Sequence, residues 1–416
     1  MTPALMTALF LLALLLSSTV RLWLNLRQAA HVRAHRDAVP AAFAASIPLE
    51  AHRKAADYTL AKGRYGRVDL ALGLIWVLLL TLGGGLQFMH ETLSHWLAPD
   101  SLWHGLALFA LLSVAGFLWE LPGTLYYTFV LEARFGFNRT TLATFAGDLL
   151  KSTLVSIVLG VPLLLCALWL MRSMGSLWWV WTWALLIAFN LAAMVIYPLF
   201  VAPLFNKFEP LKDDALAARI NGLLARCGFR AKGLFVMDGS RRSAHGNAYF
   251  TGFGAAKRIV FYDTLLSTLS ADEVEAVLAH ELGHFKHRHI AQRIALFAAL
   301  SLAFFALLGW LAQQPAFFAG LGVSAQTEAM TLILFSLVLA PFTFPLTPLM
   351  SYWSRKHEFE ADAYAVSQAG AADLVSALVK LYRDNAATLT PDPLHSLFYD
   401  SHPPAAIRIG RLKGEA

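Results

Sequence analysis

Charged residues are scarce in this chain. Asp, Glu, Lys and Arg make up 14% of its 416 residues, against roughly 25% in an ordinary soluble protein. That shortage excludes a solvated globular domain over most of the length. A hydrophobic content of 57% and a mean hydropathy of +0.56 point to a multispan membrane protein instead. Cysteine is nearly missing: Cys166 and Cys227 stand far apart, which excludes a disulfide framework and a Cys-x-x-Cys metal site. The apolar N-terminus lacks a basic leader and a small-residue cleavage site, so it reads as a retained span rather than a signal peptide. The formal net charge of +6 is accounted for by basic loops on one membrane face, and nucleic acid is not expected as a partner.

Long apolar runs are what the chain does have. Seven are expected to span: about 4–24, 68–89, 104–130, 149–171, 177–201, 294–312 and 329–350. Pro341, Pro345 and Pro348 should bend or end the last one. Basic residues collect in 25–67, around 134–139, in 204–290 and after 353, which a seven-span count puts on one side. Arg172 is the weak exception. The positive-inside rule makes that side cytoplasmic. The expected division is therefore 1–203 for spans one to five, 204–290 for a first polar part, 291–352 for spans six and seven, and 353–416 for a second polar part. Glu120 inside the third span is costly in lipid and should face a polar cavity or a paired group. Within 204–290 the pattern gives a helix over 211–221 and extended segments at 233–237, 247–250 and 258–262. Beyond 353, helices are expected at 359–368 and 371–382, with 386–407 irregular.

The most informative stretch is 270–289, SADEVEAVLAHELGHFKHRH. Ser270 and Glu273 form a capping box, Leu269 and Val274 a staple, and Val274, Val277, Leu278 and Leu282 an apolar face. On that helix His280 and His284 share a face and can bind one metal ion. Glu281 lies next to them, placed to act on water rather than to ligate. The bland alternative is a pair of hydrogen-bonded core histidines. A second polar stretch, 354–365, SRKHEFEADAYA, follows the last span. Glu358 and Asp362 are four apart and face together. A carboxylate from this stretch can complete a His-His-Glu set with one position left open. Asp362 can accept the second N–H of a ligating histidine. Alone, the same charges suit a solvated helix paired with Arg355 and Lys356.

Together these motifs make the chain resemble the type I CAAX prenyl proteases, integral-membrane zinc endopeptidases of peptidase family M48. The likeness runs over essentially the whole length, through RQAAHVRAHRDAVP, YPLFVAPLFNKFEPL, SRRSAHGNAYFTGF, HELGH, SRKHEFEADAYA and SHPPAAIRI. It implies a mainly helical fold: a seven-span bundle enclosing a chamber, with a small cytoplasmic α+β metalloprotease domain. It implies one Zn2+ held by His280, His284 and Glu358, Glu281 as catalytic base, and Asp362 behind a ligand. It also implies that Asn247, Ala248 and Tyr249 form the edge beside which an extended substrate lies as an added strand. His402, braced by Pro403 and Pro404, and Arg408 would donate to the oxyanion. His245, His287 and His289 are assigned no role.

The expected function is thus a membrane-embedded zinc metalloendopeptidase acting on extended peptides, prenylated CaaX-type or otherwise membrane-associated. The expected partners are peptide or protein substrates and membrane lipids, with the chain active as a monomer. The expected location is a bacterial inner membrane with the site toward the cytoplasm. A transporter or channel with structural zinc, or a non-catalytic quality-control scaffold, is the alternative. The natural substrate is not readable from the residues.

Overall fold

The computed structural model describes residues 1–251 and 258–414. Gly252 and Phe253, at the end of the quoted 240–253 stretch, lie outside them. Among the described residues, six helices are long and apolar enough to cross a membrane, and a bent pair makes up to seven. The bent pair is the expected second span, split into Leu49–Leu80 and Gly85–Ser94 at an angle of 47°. Three consecutive glycines cause the break. Gly84 has φ +76°, and a Cβ on Gly83 would sit 2.7 Å from the Leu79 carbonyl oxygen.

The helices outrun the apolar segments. Pro3–Ala34 and Leu49–Leu80 carry much of the basic 25–67 region as helix. The sixth span begins at His289, five residues before its apolar run. The largest difference is at the last span. Instead of ending at the prolines, Glu328–Thr343 passes through a short 3₁₀ turn at Phe344–Leu346 into Thr347–Ala369. Pro348 falls in the first turn of that helix, where no amide donor is required. The segment carrying Glu358 and Asp362 is thus the direct continuation of a span. Its polar residues hid this from a reading based on apolar periodicity.

The polar segments assemble a four-stranded sheet in the order β1-β2-β4-β3: β1 Phe208–Pro210, β2 Gly233–Met237, β3 Ala248–Thr251 and β4 Arg258–Tyr262. β2 and β4 run parallel, the outer pairs antiparallel. The strands at 233–237 and 258–262 fall where the residue pattern puts them. β1 was not anticipated; three residues ending in proline give no alternation, and its pairing with β2 decides it. Asp214–Arg226, Ala271–Lys286 and Ala371–Asp384 bury Ile220, Leu223, Val274, Leu278, Leu282, Leu374 and Leu378 in one core with Ile259 and Phe261. Each such side chain, fully buried, contributes about 1.5–3 kcal/mol.

The tail is less irregular than expected. Pro393–Tyr399, capped by Asp392, and Ala405–Leu412 are both helical, too short for periodicity to reveal. Arg27 at the end of the first span donates to Asp392, tying the tail to the bundle at 2.9 Å. Arg172 donates to Glu328 at 3.1 Å, so the one exception to the charge asymmetry is paired with an acid of the facing loop. Glu120 is exposed; its carbonyl accepts from the Thr124 hydroxyl at 3.2 Å, and its carboxylate has no hydrogen bond or ion pair among the described residues. The capping box on Ala271–Lys286 is formed in both directions. Ser270→Ala should therefore lower stability by about 1 kcal/mol in denaturant unfolding of the detergent-solubilised protein.

Candidate metal centre

Two helices build the centre. Ala271–Lys286 carries His280, Glu281 and His284, and Thr347–Ala369 carries Glu358 and Asp362. They touch where neither has a bulky side chain: a Cβ on Gly283 would lie 2.8 Å from Ala361 Cα and 3.0 Å from its carbonyl oxygen. Ala361 is fully buried at this crossing. The contact explains the small residues inside both motifs, since backbone approach of this kind requires a missing Cβ.

The crossing brings three donor sets together. Nε2 of His280 and Nε2 of His284 are 3.3 Å apart, and each is 3.4 Å from an oxygen of Glu358. Candidate ligand atoms of the three residues lie within 4.8 Å of one another. Glu358 Oε2 is buried without a hydrogen bond. Two imidazole nitrogens facing each other and an orphaned carboxylate oxygen, converging in a buried spot, fit a divalent cation. Charge agrees: three carboxylates, Glu281, Glu358 and Asp362, gather here, and Arg408 makes its close ion pair with Asp362.

His280 is oriented from behind. Its Nδ1 lies 2.9 Å from Asp362 Oδ1, and Arg408 donates to both oxygens of Asp362 at 2.6 Å. Burial alone would lower the His280 pKa, but the adjoining Asp362 and Glu358 carboxylates outweigh it and hold it up at about 9. A metal bound at this imidazole would have to displace that proton. Burial pushes the Glu281 carboxyl above its ordinary value. Glu281 has no hydrogen-bond partner among the described residues and faces a cavity of about 330 Å³.

Asn247, Ala248, His280, His402 and Arg408 share that cavity. His402 Nε2 is 3.6 Å from Glu358 Oε2. Arg408, buried on Ala405–Leu412, has Nε and Nη2 committed to Asp362, and its Nη1 lies 3.7 Å from Glu358. Among the described residues β3 pairs with β4 alone, and Ala248 at its start lines the cavity. Asn247 is exposed and its side-chain oxygen accepts from the Ala248 amide. Tyr249 is different. Strand alternation sends its ring to the opposite face, into a separate cavity of about 410 Å³ with Pro198, Pro203 and Phe235. Only its backbone belongs to the edge.

Three residues at the centre carried no assignment from sequence. Tyr382 lines the cavity and its hydroxyl donates to the Pro403 carbonyl, with no motif to mark it. His289 and Glu360 lie close to His284, Glu360 through His289; their signal was a fourth histidine and a second glutamate inside the two polar stretches. His245 stacks on Phe137 and bonds Asn385, away from the ligands.

With this geometry, the comparisons are specific. A model of the CAAX prenyl protease N-terminal region, five membrane helices, matches residues 28–207, and the peptidase family M48 model matches 210–416. The chain belongs to peptidase family M48. It is 40% identical to a CAAX prenyl protease 1 homolog of Arabidopsis thaliana, over 71% of this chain and 70% of that one. It is 35% identical to CAAX prenyl protease 1 of Saccharomyces cerevisiae, over 74% and 71%, and 33% identical to the human homolog, over 70% of each. The crystal structure of Ste24p from S. mikatae superposes with a TM-score of 0.91 at 31% identity, covering 99% of both chains.

This M48 protein is a multi-pass membrane metalloendopeptidase, and its substrates are peptides or proteins. Membership favours hydrolysis over the transporter and scaffold alternatives. These relatives are eukaryotic, and none supports the expectation of a bacterial membrane. Gly283→Ala should force the two helices apart, at a cost of about 1–3 kcal/mol. Metal content of the purified variant should fall sharply; full occupancy would show that the close approach is not needed.

Proposed function

We propose that this chain is a zinc endopeptidase of the CAAX prenyl protease type, with His280, His284 and Glu358 as metal ligands. The observation that carries the reading is the convergence of these three donors beside a cavity that Glu281 and Ala248 at the start of β3 both line. Zinc bound there supplies Lewis acidity and lowers the pKa of water.

The chain's own groups do the rest. Asp362, held by Arg408, keeps His280 in the tautomer with Nε2 free. Glu281 takes the proton of the attacking water and returns it to the leaving amine; its raised pKa suits a group that must both accept and release. His402 and the uncommitted Nη1 of Arg408 donate to the carbonyl oxygen as negative charge develops. An extended peptide adds to the edge formed by Asn247, Ala248 and the Tyr249 backbone, held mainly by main-chain hydrogen bonds.

The substrate lies at the membrane. The catalytic cavity shares Tyr382, Ala387 and His402 with one of about 520 Å³, which in turn shares Asn25, His395 and Tyr399 with one of about 480 Å³. The last has a mixed lining, with Leu14, Leu70, Leu74 and Val77 of the first two spans beside Arg21, Arg67 and Asp69, which suits a membrane-associated peptide carrying both apolar and polar groups. The polar parts face the cytoplasm by the positive-inside rule, and one chain holds every proposed site residue, as a monomer requires.

Glu281→Gln should abolish hydrolysis of a test peptide while zinc content stays near one equivalent; activity in that variant would remove Glu281 from its role. Glu358→Ala should lose the metal, and product mapping on prenylated and unprenylated peptides should show which class is cut.

A further inference from the structure

We propose that His289 and Glu360 form a proton-ordered relay behind the metal ligand His284, a second positioning arm matching the one Asp362 provides for His280. The inference rests on the ligand assignment above and adds two residues to it.

His284 Nδ1 lies 2.9 Å from His289 Nδ1, and His289 Nε2 lies 2.9 Å from Glu360 Oε2. Two imidazole nitrogens at that distance must share one proton, so tautomers decide the direction. When His284 gives its Nε2 lone pair to the metal, the neutral ring carries its proton on Nδ1. His289 Nδ1 must then accept, which puts the His289 proton on Nε2, where it donates to the Glu360 carboxylate. Every atom in the chain has one assignable role, and the arm ends on a charge that strengthens His284 as a donor.

The surrounding structure holds His289 in place. It is 1% exposed and begins the span His289–Leu311. Arg288 before it adopts φ 56° and ψ 33°, a left-handed conformation costly for a non-glycine residue. That turn ends the HELGH helix and swings His289 back beneath His284. His357 stacks on the His289 ring at 3.8 Å and 8°, while its own Nε2 meets Gln292 Oε1 at 3.2 Å. The imidazole is needed as a spacer, because Glu360 is two residues from both Glu358 and Asp362 and leaves the helix in a different direction.

His289, His357 and Glu360 also bring donor atoms within 4.8 Å of one another, which raises the rival of a second metal ion. The ring geometry opposes it. Lone pairs of two imidazoles stacked in near-parallel planes 3.8 Å apart do not converge on one ion, and both nitrogens of His289 are already engaged.

The test measures the zinc dissociation constant of the full-length protein in detergent by competition with a chromophoric chelator. His289→Ala should weaken binding about 10–100-fold. His289→Asn places an amide oxygen near the former Nδ1 and should restore affinity to within about threefold of the original, although Asn cannot restore the stack on His357. A merely structural role would leave Ala and Asn equally impaired, and that result overturns the proposal. So does unchanged affinity in His289→Ala. If that variant does not fold, Glu360→Gln carries the test, with a loss of about threefold or more expected and an unchanged constant overturning the relay. Two zinc equivalents in the unmodified protein, one of them lost in His357→Ala, would establish the rival second site. No zinc binding by the unmodified protein would remove the ligand assignment itself, a failure distinct from loss of the relay alone.

Discussion

The centre depends on the contact between Gly283 and Ala361. Two helices from parts of the chain separated by a membrane hairpin cross with almost no side chain between them. Only at that distance do Nε2 of His280 and His284 fall 3.4 Å from the two oxygens of Glu358. A metal tolerates errors of a few tenths of an ångström in its ligands, so the backbone crossing must be set by something stiffer than loops. Close-packed backbone provides it.

The spans extend that stiffness. The helix bearing Glu358 and Asp362 continues the last span through a single 3₁₀ turn, and the HELGH helix reaches the sixth span across one strained residue, Arg288. Both halves of the centre are thus mounted on membrane helices, with the tail latched by Arg408 to Asp362 and by Asp392 to Arg27. The Arg408–Asp362 pair is buried; such a pair adds little net stability, yet removing one partner strands a charge. Its value lies in fixing which way His280 faces.

Much of this was legible because its physics is local. The capping box, the shared face of His280 and His284, the strands at 233–237 and 258–262, and the apolar runs depend on residues within a few positions of one another. What escaped depended on distant partners. β1 exists because β2 offers it an edge. The Tyr249 ring enters a cavity formed with Pro198, Pro203 and Phe235, none of them near it in sequence.

The amino-acid sequence by itself determined the class of chemistry: membrane spans from uninterrupted apolar length, and a two-histidine, two-glutamate vocabulary from residue spacing along helices. Tertiary structure alone decided which nitrogen of each histidine faces inward, that Arg408 spends two of its donors on Asp362, and that His289 and Glu360 belong beside His284. The physical reason is range. Helical periodicity acts over one or two turns and can be read along the chain. Hydrogen-bond direction inside a buried centre is set by groups dozens of residues away, whose positions exist only once the chain has folded.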